Sequence, residues 1–143
     1  MSYLDNFEHS FMEHTLEIVQ GYKGPFEATI LINCLLGLLV VPKETSLEAI
    51  PLDPLTDLPK WGIRTDSIES VGKATRANPQ PETIRGLVHN LRNSVAHFRL
   101  KPIPQSSLVR AFEFTDNNGM KATITLQEMR DFVEKLASHL NTH

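Results

Sequence analysis

The chain has 143 residues, with 14 Lys and Arg against 17 Asp and Glu, a formal net charge of −3, six histidines and one cysteine. That length lets one domain bury a core without disulfides or a structural metal, and the slightly acidic balance does not demand nucleic acid or an anionic membrane as partner and argues for a narrow cleft over a broad electrostatic surface. Recognition of anions must then come from a local patch. Cys34 lies in the apolar run "TILINCLLGLLVV", where it reads as a small core residue of a protein kept in a reducing compartment. The start "MSYLDNFEHSF" lacks the basic-then-apolar pattern of a secretory signal, and the apolar stretch 28–41 is shorter than the ~20 residues that span a bilayer. The expectation is a single domain over 1–143, cytoplasmic, with no membrane contact.

Leu4, Phe7, Phe11, Ile18 and Tyr22, with Met12 and Val19 beside them, predict an amphipathic helix over 4–22. Pro25 suits the first turn of a second helix, apolar on most sides, that stops at Pro42. Such a helix belongs at the centre of a bundle or at a subunit interface. Pro51, Pro54 and Pro59 break any period between 42 and 61 and predict a long, partly ordered loop, of a length that is often functional. Asp66 followed by Glu69 resembles a capping box for a short helix to about Arg76, ended by "ANPQPE".

From near Pro81, Ile84, Leu87, Val88, Leu91, Val95 and Phe98 recur in unbroken steps of three and four, predicting another helix. Beyond "KPIPQ" the period becomes two in "LVRAFEF", and "DNNGMK" offers an Asn-Gly turn before "ATITL", so a hairpin is expected over 108–125. Thr125 with Glu128 makes a second capping box, and Met129, Phe132, Val133, Leu136 and Leu140 trace the buried face of a last helix. The expected fold is mainly α, a helical bundle with one β-hairpin inserted before its C-terminal helix. A two-stranded hairpin is marginal alone, so it must pack on the bundle or on a partner.

The stretch "LVHNLRNSVAHFRL", residues 87–100, carries the chemistry. Arg85, Arg92 and Arg99 repeat every seven residues along one flank of the helix, roughly 60–100° from the core direction. Asn93 and His97 are four apart and nearly opposite the core, with His89 on the same side. No Asp or Glu occurs from Thr83 to Phe112, while Arg85, Arg92, Arg99, Lys101 and Arg110 do. Guanidinium groups without local acids, beside exposed imidazoles, suit a phosphodiester, because Arg forks onto phosphate oxygens and His moves protons near neutral pH.

In metal-independent RNA cleavage a base deprotonates the 2′-hydroxyl, which attacks the adjacent phosphate while a cation stabilises the added charge. His97 would be that base, or the acid for the departing 5′-oxygen. Arg92 would stabilise charge, and Asn93 would hold the imidazole tautomer or the phosphate. One histidine falls short of an acid–base pair, and a two-fold dimer packed through this helix would supply the second. Arg92 and His97 stand roughly 140° apart around the helix, which also suits a site shared by two chains.

"LRNSVAHF", with Arg, four residues and His, and polar Asn93 directly after the Arg, resembles the signature of the HEPN superfamily. "INCLLGLLVVPKE" is similar to the second helix of small single-domain HEPN proteins found on plasmids and in prophages. The resemblance implies a small helical bundle that dimerises with its Arg-His motifs facing each other, and a metal-independent ribonuclease of toxin or anti-phage type. It gives the motif positions to Arg92, Asn93 and His97. The hairpin over 108–125 is an elaboration that the family pattern does not require. Where a subgroup of HEPN toxins has a Tyr two residues after the His, modified by a partner nucleotidyltransferase, this chain has Arg99.

The catalytic expectation is therefore Arg92, Asn93 and His97, with Arg85, His89, Arg99 and Lys101 binding substrate, no metal and no cofactor. The expected partners are a second copy, RNA and an antitoxin or other regulatory protein. The alternative is a non-catalytic HEPN-like module that binds RNA, a nucleotide or a protein, and a purely structural interaction protein forms a third class. Salt bridges to acids from elsewhere, such as Glu44 or Glu128, compete with RNA contacts for Arg85 and Arg99. His9 and Glu13, four apart, read as a wet polar face with no second ligand pair to make a metal site. The Phe residues, Phe98 included, sit at core spacing and form no readable stacking platform.

Overall fold

The computed structural model describes residues 17, 21, 50–105 and 108–141. The helices expected over 4–22 and 25–41, together with Cys34, His9 and Glu13, lie outside the described residues, save that Glu17 and Gly21 are helical. The described elements are β1 (Ile68–Ser70), α1 (Ile84–Ala96), β2 (Leu100–Gln105), β3 (Leu108–Thr115), β4 (Lys121–Thr125) and α2 (Leu126–Asn141), preceded by a 3-10 helix over Leu55–Trp61. The strands form one antiparallel sheet in the order β1-β4-β3-β2.

This corrects the expectation of a helical bundle with an inserted hairpin. The hairpin exists as β3 and β4, paired Phe112 to Ile124 and Phe114 to Ala122, but it is the centre of a four-stranded sheet. β2 joins one side through residues read as a break. Its Pro102 and Pro104 are tolerated because β2 is an edge strand, where a missing N–H can face away from the ladder, and the register shifts between Ile103 and Pro104. β1 joins the other side in place of the helix expected over 66–76. Thr65–Ser67 makes a single 3-10 turn and then extends. Glu69 does not cap it: its carboxylate reaches across the sheet to Thr123 Oγ1 at 3.3 Å and Lys121 Nζ at 3.4 Å.

α1 packs on β3, and α2 on β3 and β4. Ile84, Leu87, Val88, Leu91 and Val95 meet Phe112, Phe114, Ala122 and Ile124 of the sheet and Phe132, Val133 and Leu136 of α2 in one core. Each such Leu, Ile or Phe contributes roughly 1.5–3 kcal/mol by leaving water. The described part of the 42–61 loop also enters this core through Ile50 and Leu58. Its carbonyls cap α1: Ile84 N donates to Asp53 O at 2.8 Å and Arg85 N to Pro51 O at 3.2 Å, while Gly86 N donates to the Thr83 hydroxyl. The loop thus holds the N-terminal end of α1, away from His97.

The capping box at Thr125 forms as its sequence predicts, with Glu128 N donating to Thr125 Oγ1 at 3.1 Å and Thr125 N to Glu128 Oε1 at 3.0 Å. Among the described residues no helix is long and apolar enough to cross a membrane.

Candidate functional site

α1 presents its core face to the sheet, which leaves His89, Asn93 and His97, one helical turn apart, along another side. The helix stops at Ala96. Arg99 N returns to Ser94 O at 2.7 Å and Phe98 N to Val95 O at 3.1 Å, the paired bonds of a left-handed C-terminal cap. Phe98 takes the left-handed position at φ 56, where glycine is the usual residue. The reversal throws its ring into solvent, 80% exposed, so Phe98 is not the core residue that its spacing predicted.

The same reversal brings Arg99 back beside α1, where it meets the turn between β3 and β4. Asp116 in that turn accepts from Arg99 NH1 at 3.3 Å through Oδ1 and from Asn93 Nδ2 at 3.3 Å through Oδ2, and its side chain is only 8% exposed. The absence of acid along 83–112 is therefore made good in space. A carboxylate only accepts, so Asn93 must turn its NH2 toward Asp116 and its carbonyl oxygen the other way.

Behind this pair lies an amide network. Asn90 Oδ1 accepts from Asn78 Nδ2 at 3.1 Å and Asn118 Nδ2 at 3.2 Å, and Asn90 Nδ2 donates to Val71 O at 3.2 Å. Asn78 Nδ2 also reaches Gly86 O at 3.0 Å, tying the 71–80 segment and the hairpin turn to α1. Asn78, Asn90 and Asn118, with His89, Asn93, His97, Arg99 and Asp116, line an open cavity of about 200 Å³.

The sequence matches the family model described as HEPN pEK499 p136 over residues 1–143. The chain belongs to this HEPN family. HEPN domains are commonly ribonucleases or toxins, and they generally dimerise. No curated protein and no solved structure matches the chain.

In this HEPN chain the predicted residues separate into three places. His89, Asn93, His97 and Arg99 share the cavity. Arg92, half-buried on α1, does not line it and makes no hydrogen bond or ion pair among the described residues. Arg85 borders a second cavity of about 140 Å³, which His89 also lines, and its Nε donates to Ile50 O at 2.8 Å. Lys101 stands exposed on β2 and lines neither cavity. Of the arginine stripe, then, Arg99 is spent on Asp116 and Arg85 reaches the loop.

Burial, and then the Arg92 guanidinium nearby, hold the His89 imidazole below its ordinary value against the opposing pull of Asp116. Its Nδ1 is buried with no hydrogen-bond partner among the described residues, which further disfavours a proton there. His97 is exposed and its ring makes no hydrogen bond among the described residues. Among these residues no group of three or more His, Cys, Asp and Glu could hold a metal ion.

Asp116, Asn78, Asn90 and Asn118 carry no local sequence signal of a shared site. Asn118 belongs to "DNNGMK", which was informative only as a turn, and Asn90 stood in the helix without a signal that it would be buried.

Proposed function

We propose that this HEPN chain is an endoribonuclease that needs no metal, acting as a homodimer in toxin or anti-phage defence, with Arg92 and His97 of both copies at a shared cleft. The single observation that carries the reading is His97. It sits exposed at the end of α1, its ring free of hydrogen bonds among the described residues, one turn beyond an Asn93 whose amide is oriented by Asp116.

In this mechanism one His97 takes the proton of the 2′-hydroxyl as the oxygen attacks phosphorus. The bond to the 5′-oxygen breaks, and the second His97 protonates that oxygen, leaving a 2′,3′-cyclic phosphate and a 5′-hydroxyl. Arg92 neutralises the phosphorane charge. With its NH2 held by Asp116, Asn93 acts through its carbonyl as an acceptor, suited to an imidazole N–H or the 2′-hydroxyl rather than to a phosphate oxygen. His89 and Lys101 remain available for substrate, whereas Arg99 already gives one of its N–H donors to Asp116.

That last pairing favours one competing reading, a non-catalytic module binding RNA, a nucleotide or a protein, because the cavity's arginine is already neutralised. RNA cleavage by purified protein in EDTA separates the two. Cleavage that ends in 2′,3′-cyclic phosphate and is lost in folded, dimeric R92A and H97A supports the enzyme. Cleavage indifferent to His97, or none, transfers the reading to the binding module.

A further inference from the structure

We propose that the cavity between α1 and the β3–β4 turn, together with Phe98, is a base-binding site for single-stranded RNA, the cavity taking one nucleobase by its edge and the Phe98 ring stacking a neighbouring base of the strand. The inference rests on RNA being the ligand of the HEPN chain and adds how the strand is held and selected.

The chemistry of the walls selects the ligand class. Five of the eleven lining residues are asparagines, and the one strong cation, Arg99, is paired with Asp116. Phosphate offers only acceptors and negative charge, so it gains little from such a surface. A base edge presents donors and acceptors side by side, which is the pattern that a carboxamide matches. Several groups are left over for it. Asn93 has its carbonyl turned away from Asp116, and the exposed Asn117 makes no side-chain hydrogen bond among the described residues. His89 lines the cavity and has its Nδ1 buried without a hydrogen-bond partner among the described residues. Burial and Arg92 keep that ring neutral, consistent with an uncharged guest.

Phe98 is the independent observation. It stands between His97 and Arg99, both in the cavity wall, and is 80% exposed at a left-handed backbone position that glycine occupies at least cost. An aromatic ring kept there, in water and against backbone preference, gains little folding benefit from the described residues around it. Every base has a face on which such a ring can stack.

The test uses ligands that the proposed chemistry cannot cleave. Adenosine, guanosine, cytidine, uridine and inorganic phosphate are titrated in turn while the His89 and His97 ring resonances are followed by NMR. Affinities for 2′-deoxy tetranucleotides are measured alongside. Two variants accompany wild type: Ala77→Leu, which projects a larger side chain from an exposed wall position into the cavity, and Phe98→Gly, which removes the ring while suiting the positive φ.

At least one nucleoside is expected to shift His89 saturably, with Ala77→Leu weakening it and Phe98→Gly weakening the tetranucleotides, each by about ten-fold or more. The site is overturned if phosphate alone moves His89 or if Ala77→Leu binds nucleosides as wild type does. It is equally overturned if Phe98→Gly keeps full tetranucleotide affinity, or if its only effect is to dissociate a dimer, which would make Phe98 a subunit contact. Base binding in a protein that never cleaves RNA would remove the ribonuclease reading and leave this site standing. Cleavage without base binding would do the reverse.

Discussion

Glu128→Gln tests how the start of α2 is joined to the turn before β1. The Glu128 side chain is almost fully buried. Its Oε2 accepts from Ser67 Oγ at 2.7 Å and Arg64 N at 2.9 Å, while Oε1 accepts from Thr125 N at 3.0 Å and Thr125 Oγ1 at 3.1 Å. Both hydroxyls can rotate, but both backbone N–H groups can only donate. Glutamine must aim its NH2 at one oxygen position or the other, so in either orientation one N–H loses an ionised acceptor and faces a second donor. Losing that charge-assisted bond at a largely buried carboxylate costs about 2 kcal/mol, which for a domain of this size lowers Tm by roughly 6–8 °C. The exposed Arg64 guanidinium, 3.8 Å from Oε2, adds little.

The pH dependence sharpens the test. Burial works to raise the Glu128 carboxyl, but hydrogen bonds from Ser67, Thr125 and Arg64 outweigh it and leave the group below its ordinary 4.5. A carboxyl depressed in the folded state stabilises above its unfolded value and loses that contribution as pH falls through the folded value. The gap between wild type and Glu128→Gln, read by urea unfolding under circular dichroism, should be full at pH 7 and close in acid. A variant within ~0.5 kcal/mol of wild type at pH 7, set against the loss expected for one such bond, or a gap unchanged in acid, would refute the reasoning.

Asp116→Asn frees the Asn93 amide to rotate and releases Arg99. It is expected to lower RNA cleavage about ten-fold or more through loss of orientation, and to cost only about 1–2 kcal/mol in unfolding measurements because Arg99 is partly solvated. Gly86→Ala places a Cβ against the Gln80 carbonyl oxygen, 2.7 Å from Pro81 Cα and 2.8 Å from the Gln80 carbonyl carbon, all of it backbone. About 3 kcal/mol of destabilisation in thermal or urea melts is expected, and a neutral result would mean that the 80–81 segment yields. A histidine depressed in the folded state leaves the unfolded chain holding more protons, so wild type should lose stability as pH falls below about 6.5. His89→Gln should flatten that slope, and an unchanged slope would locate the titration elsewhere.

The legible parts of this HEPN protein were those written in near neighbours. α1 followed from five residues at helical spacing, and the Asn-Gly turn placed the hairpin. The Thr125 and Glu128 box formed with both bonds of its pattern. The same three-residue spacing misled at Asp66 and Glu69, where cross-strand partners on β4 claimed Glu69 and the chain extended. Phe98 matched the apolar step but lay two residues past the helix end, where the left-handed turn pointed it outward. Spacing cannot report where the period stops.

By itself the sequence determined the helix that carries Arg92, Asn93 and His97, its buried face, and the family signature, because periodicity and caps act over a few residues. Only the tertiary structure decided that the hairpin grows into a four-stranded sheet, since β1 and β2 join it through backbone hydrogen bonds that side-chain patterns need not announce. It alone decided the electrostatics of the site. The acid missing around Arg99 along the chain is Asp116, 17 residues away in sequence and 3.3 Å away in space, and Coulomb attraction depends on the second distance.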